Sequence, residues 1–139
     1  GLDGRKMSKS YNNVIPLLGS EKKLKKSIMK IVTNSLEPGE PKDFNDCTVF
    51  ELYKYFANAD EINEFKTDYE EGISWGDAKD KLFNIINAEL LPIRSKYEDL
   101  INDQDYLNDV LGDGAKKART LAQEKIEIVK EVIGLTKIS

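Results

Sequence analysis

The chain has 139 residues, of which 40% are hydrophobic and 33% charged, the composition of a globular protein rather than a disordered or fibrous one. Its single cysteine, Cys47, and its lack of histidine exclude an internal disulfide and a zinc site, and agree with a reducing, cytoplasmic setting. No apolar run approaches the roughly 20 residues that cross a bilayer, and the start has no apolar leader core, so neither export nor a membrane position is expected.

The net charge of −4 argues against a protein that coats nucleic acid indiscriminately, but the charge is uneven. Residues 5–30 hold eight basic side chains against one acid, residues 37–71 eleven acids against three lysines, and residues 115–131 five basic side chains against three acids. An anion would be met at the two ends.

In chain order, residues 1–19 carry three glycines, Pro16 and the Asn12-Asn13 pair, a loop composition without sustained period. Ser20 can cap a first helix that places Leu24, Ile28, Ile31 and Val32 on one face and runs until Pro38, Gly39 and Pro41 stop it. A second helix fits residues 46–57, with Phe50, Tyr53, Tyr55 and Phe56 read as core. Asn58 and Glu61 form a capping-box pattern that opens a third helix, which Gly72 ends. Ser74 and Asp77 open the longest helix, through Leu100, with a kink expected near 88–92 ahead of Pro92. Residues 103–111 suggest a short helix, separated by Gly112-Asp113-Gly114 from a last one whose stripe is Ala115, Ala118, Ala122, Ile126, Val129 and Ile133 and which Gly134 ends. No alternating strand appears. The expectation is an all-α irregular bundle of about six helices, preceded by an extended loop.

The loop carries the chemical motif. Lys6-Met7-Ser8-Lys9-Ser10 spells KMSKS, whose chance occurrence in a chain of this length is on the order of one in ten thousand at average residue usage. It is the signature loop of class I aminoacyl-tRNA synthetases. Around it, Gly1-Leu2-Asp3-Gly4-Arg5 and Tyr11-Asn12-Asn13-Val14-Ile15 resemble the bacterial-type tryptophanyl enzymes of that class. Ile31-Val32-Thr33-Asn34-Ser35 is similar to their IVTDS, with Asn34 where aspartate is usual; Trp75-Gly76-Asp77-Ala78-Lys79, Leu91-Pro92-Ile93-Arg94 and Gly114-Ala115-Lys116-Lys117-Ala118-Arg119 resemble further segments, the last their GAxKAR. These matches run from one end of the chain to the other.

The resemblance implies a parent ligase that activates tryptophan with ATP and Mg2+ and transfers it to tRNA(Trp). It implies residues 1–19 as the KMSKS signature loop and 20–139 as a C-terminal helical domain that binds the anticodon region of tRNA. Lys6 and Lys9 would be catalytic, meeting the pyrophosphate as it departs, with Lys9 the stronger transition-state partner; Met7, Ser8 and Ser10 would line the nucleotide with them. Lysines that reach those oxygens only as the bond breaks lower the barrier. Lys116, Lys117 and Arg119 would open the last helix and meet tRNA phosphate, helped by its N-terminal N–H groups. The family's histidine-bearing HIGH-type motif and Rossmann-like catalytic fold have no counterpart here, so the chain alone is expected to be inactive, to bind no cofactor tightly and to lack the surface through which family members form homodimers.

Other readings stand beside these. The lysines from Lys22 to Lys30 read first as a solvated helix face and second as an RNA contact; Trp75 reads as core before base-stacking platform; Cys47 reads as a small buried residue. The alternative functions are a fragment of a tyrosyl-type synthetase, or a stand-alone helical RNA-binding or interaction module with a fortuitous loop.

Overall fold

A computed structural model describes residues 1–135. It is all-helical, and among the described residues there is no strand. The helices are α1 (Glu21–Met29), α2 (Thr48–Tyr53), α3 (Ala59–Glu70), α4 (Trp75–Asn102) and α5 (Gln104–Val132). Two compact units result, Gly1–Lys96 and Tyr97–Ser139.

In the first unit the core is aromatic. Phe65 lies 4.3 Å from Tyr53, 4.9 Å from Tyr69 and 5.7 Å from Phe50 between ring centroids. Tyr69 is fully buried, and its hydroxyl meets the Cys47 thiol at 3.3 Å. Leu24 and Ile28 of α1 and Ala78, Leu82 and Ile86 of α4 complete the cluster at helical spacing. Burial of this kind contributes roughly 1.5–3 kcal/mol per large apolar side chain. Tyr55 departs from expectation: it is 81% exposed, because α2 gives way after Tyr53 to turns that rotate it outward.

The helix starts follow their sequence signals. Ser20 accepts from the Lys23 N–H at 3.3 Å. Asn58 and Glu61 form the full capping box. The Asp77 N–H donates to Ser74 Oγ at 3.0 Å. Gly72 ends α3 with φ +88°, and Ile73 N–H returns to the Asp68 carbonyl at 2.9 Å. There the chain meets the connector from α1: Gly39 N–H donates to Gly72 O and Lys42 N–H to Tyr69 O, both at 2.8 Å. The buried Lys42 ammonium closes the connector on itself, donating to the Glu37 and Glu40 carbonyls at 2.9 Å each.

Two helix boundaries differ from the sequence reading. α1 stops at Met29, well before Pro38. The β-branched run Ile31-Val32-Thr33 is a poor helix former. Asn34 also offers an alternative, its Oδ1 accepting from Leu36 N–H at 3.1 Å and from Trp75 Nε1 at 3.0 Å. Ile31 stays buried while Val32 is 87% exposed. The second difference is that α5 runs unbroken through Gly112-Asp113-Gly114, so among the described residues five α-helices stand where about six were expected. Each interior glycine costs about 1 kcal/mol relative to alanine. That is less than the cost of starting a new helix, and Asp113 pairs with Lys116 at 3.3 Å across the junction. The stripe Ala115 to Ile133 keeps its helical period but is exposed. α4 is likewise continuous through Pro92.

Candidate functional site

Residues 1–15 form a closed polar loop around Asn13, which is 2% exposed. Its Oδ1 accepts from Ser8 N–H at 2.7 Å; its Nδ2 donates to Asp3 Oδ1 at 2.7 Å and to the Lys6 carbonyl at 3.1 Å. The Asn13 carbonyl accepts from Leu2 N–H at 2.9 Å. Ser8 caps a 3-10 turn, Lys9–Tyr11, accepting from Ser10 N–H at 3.3 Å, and Asn12 leaves that turn in the left-handed region at φ 52°. Asparagine tolerates that conformation better than most residues. Gly4 needs its lack of a side chain, with φ +77° in the turn before the motif.

Charge is arranged on the outside of this frame. Asp3 pairs with Arg5 at 2.7 Å, and the Arg5 guanidinium lies 4.6 Å from the centre of the Tyr11 ring. The Asn13 amide, and after it the Arg5 guanidinium, hold the Asp3 carboxyl well below the usual carboxylate range. Lys6, Lys9 and Ser10 are exposed, Met7 is 43% exposed, and Ser8 is half-buried. The motif thus presents two ammonium groups to solvent on a backbone fixed from behind. A cleft of about 320 Å³ lies beside it, between the loop residues Tyr11 and Asn12, the α1 residues Lys23 and Ser27, and Lys30 just past the end of α1.

The remaining candidates lie elsewhere. Lys116, Lys117 and Arg119 are exposed on α5, but that helix begins at Gln104, capped by Asp103, which accepts from Tyr106 N–H at 3.0 Å. The basic trio is therefore more than two turns inside the helix, out of reach of its N-terminal N–H groups, of which that of Tyr106 is bound by the Asp103 side chain. Lys25 of the α1 cluster is paired with Asp80 at 2.9 Å. Trp75 sits half-buried, edge-on to Tyr69 at 5.8 Å and hydrogen-bonded to Asn34, a packing role. Among the described residues no group of three or more His, Cys, Asp or Glu side chains could hold a metal ion. Nor is any described helix long and apolar enough to cross a membrane.

Sequence reasoning missed the centre of the loop. Asn12-Asn13 registered only as turn composition, and a hydrogen-bonding hub is not distinguishable from a turn asparagine without knowing which of the two is buried.

A family model for tRNA synthetases class I (W and Y) matches residues 1–91. The chain belongs to that family. Among similar curated proteins are the tryptophan–tRNA ligases of Pseudomonas aeruginosa and Neisseria meningitidis, each 46% identical over 135 residues, 97% of this chain. These residues make up 30% of the first protein and 40% of the second. A crystal structure of tryptophanyl-tRNA synthetase from Campylobacter jejuni, complexed with ADP and tryptophan, superposes with a TM-score of 0.87 at 42% identity, over 96% of this chain and 42% of that one. The chain thus spans less than half the length of the relatives it matches. Membership removes the stand-alone module with a fortuitous loop from consideration.

Proposed function

We propose that this chain is the C-terminal segment of a tryptophan–tRNA ligase, with residues 1–19 serving the ATP site and residues 20–139 forming the helical domain that meets the anticodon region of tRNA(Trp). The observation that carries the reading is the pair of exposed ammonium groups, Lys6 and Lys9, on a fixed loop in a chain 46% identical to ligases named for tryptophan. That naming favours tryptophan over tyrosine.

In the reaction the tryptophan carboxylate attacks the α-phosphate of ATP, the aminoacyl adenylate forms, and pyrophosphate leaves with the accumulating negative charge. Lys6 and Lys9 meet those oxygens, and Met7, Ser8 and Ser10 line the nucleotide. A lysine whose contact forms only as charge develops stabilises the transition state above the ground state, by about 3 kcal/mol for one well-placed donor. Among the described residues no group of side chains suits a metal, so the Mg2+ that accompanies ATP would be held outside them. Lys116, Lys117 and Arg119 contact tRNA phosphates as exposed cations rather than through a helix end. The intact ligase is a cytoplasmic homodimer; the segment alone is inactive and binds no nucleotide tightly, since solvent-screened lysines gain little from ATP.

The test is Lys9→Ala in the intact ligase. Tryptophan-dependent pyrophosphate exchange should fall about a hundredfold with folding unchanged, because an exposed loop lysine contributes little to stability. Undiminished exchange, or exchange by the 139-residue chain itself, would defeat the reading.

A further inference from the structure

A lysine that acts only in the transition state must be held near its working position before the reaction, since misplacement by about 1 Å can cost a hundredfold in rate. Lys6 and Lys9 are exposed and receive no such restraint from their own side chains, so it must come through the backbone. The contacts that fix that backbone converge on one residue. Asn13 takes hold of the motif on both sides of Met7, accepting from Ser8 N–H and donating to the Lys6 carbonyl, and a third bond anchors it to Asp3.

We propose that Asn13 is a positioning residue for the activation step, setting the curvature of the Lys6–Lys9 segment so that both ammonium groups face the departing pyrophosphate. This rests on the assignment of the loop to the ATP site. Asn13 is 2% exposed and its side-chain bonds go to the loop itself, so it works through the two lysines. The chemistry of the position selects asparagine. The site needs one acceptor and two donors on a stem short enough to stay inside the turn. Aspartate lacks the donors and sets a second carboxylate against Asp3. Serine and threonine offer only one donor and reach less far. Glutamine adds a methylene to a position with 2% exposure. The depressed carboxyl of Asp3 agrees with the arrangement, since the hydrogen bond from the Asn13 amide is the largest cause of that lowering.

The experiment has two levels. In the 139-residue chain, Asn13→Ala should release the Ser8 amide to fast hydrogen exchange while the amides of α1, α3 and α4 stay protected; a Ser8 amide that remains protected overturns the proposal. In the intact ligase, Asn13→Ala should lower kcat for pyrophosphate exchange by about ten- to a hundredfold while KM for tryptophan is unchanged. An unchanged kcat, or a loss that falls equally on KM, overturns it. Asn13→Asp should be at least as slow, and the exchanged pair Asp3→Asn/Asn13→Asp should regain part of the rate, since the amide then donates from position 3 and the carboxylate still accepts from Ser8 N–H. An exchanged pair no faster than Asn13→Asp counts against the proposal. Lys9→Ala run in parallel separates the two ideas. If Lys9→Ala is slow and Asn13→Ala is not, only the positioning role falls; if Lys9→Ala is as fast as the parent, the loop's assignment falls first.

Discussion

Gly72 and Gly39 share the same φ but not the same surroundings, and alanine at each separates two costs that usually arrive together. Both have φ +88°, and they are joined by the Gly39 N–H to Gly72 O bond. A Cβ on Gly39 meets nothing within 4 Å, so Gly39→Ala carries only the left-handed penalty, about 1–2 kcal/mol. A Cβ on Gly72 lies 2.4 Å from the Gly39 carbonyl carbon, 2.7 Å from Gly39 Cα and 2.8 Å from Glu40 N. All three are backbone atoms, so no rotamer change relieves the overlap and the connector itself must shift, adding roughly 1–3 kcal/mol of the kind seen on overpacking. Gly72→Ala should therefore cost about 2–5 kcal/mol and exceed Gly39→Ala by about 1–3 kcal/mol. Urea unfolding of the two variants, followed by near-ultraviolet circular dichroism of the aromatic cluster, measures the difference. Equal midpoints would show that the connector yields freely and that the close approach holds nothing in place.

Alkali should loosen the aromatic core. Burial, then the bond to Cys47, raises the Tyr69 pKa, and burial, then Glu61, raises that of Tyr53. A group held protonated in the fold contributes fully below its unfolded pKa of about 10 and loses that contribution as pH rises beyond it. Unfolding midpoints at about pH 8 and about pH 10.5 should therefore drop less between the two for Tyr69→Phe than for the parent; an identical drop refutes the assignment. Replacing Lys116, Lys117 and Arg119 together by alanine in the intact ligase should weaken tRNA(Trp) binding and reduce the slope of log affinity against log salt by about two to three. An unchanged slope would remove the trio from the interface.

The elements legible in the sequence were those whose signals are local. Asn58 with Glu61, Ser74 with Asp77, and Gly72 each fix a helix end through atoms within a few residues, and each stands where the pattern put it. The failures came where a distant or cumulative term decides. Asn34 draws residues 31–37 out of α1 partly through Trp75, 41 residues away in sequence. Two glycines in α5 were read as a break, although helix propagation on either side outweighs them. Tyr55 belongs to an apolar group by spacing but lies past the end of α2. At the site, the motif named the lysines at once because charge chemistry is written in residue type. Asn13 was not read as their support, because burial is a property of the closed loop rather than of any short stretch of it.

Trp75 is the chain's only tryptophan, and its position makes it a selective optical probe. The indole N–H is bound to Asn34, its ring edge meets Tyr69, and the Lys42 ammonium lies 5.6 Å from its centre. Its fluorescence therefore reports the seating of the post-α1 segment and the connector on the start of α4. α5 contains no tryptophan, and its one aromatic residue, Tyr106, is not excited at about 295 nm, so the helix is seen through far-ultraviolet dichroism. Emission excited at about 295 nm follows one half of the molecule while far-ultraviolet dichroism follows both, and any gap between the two melting curves isolates events in the second half.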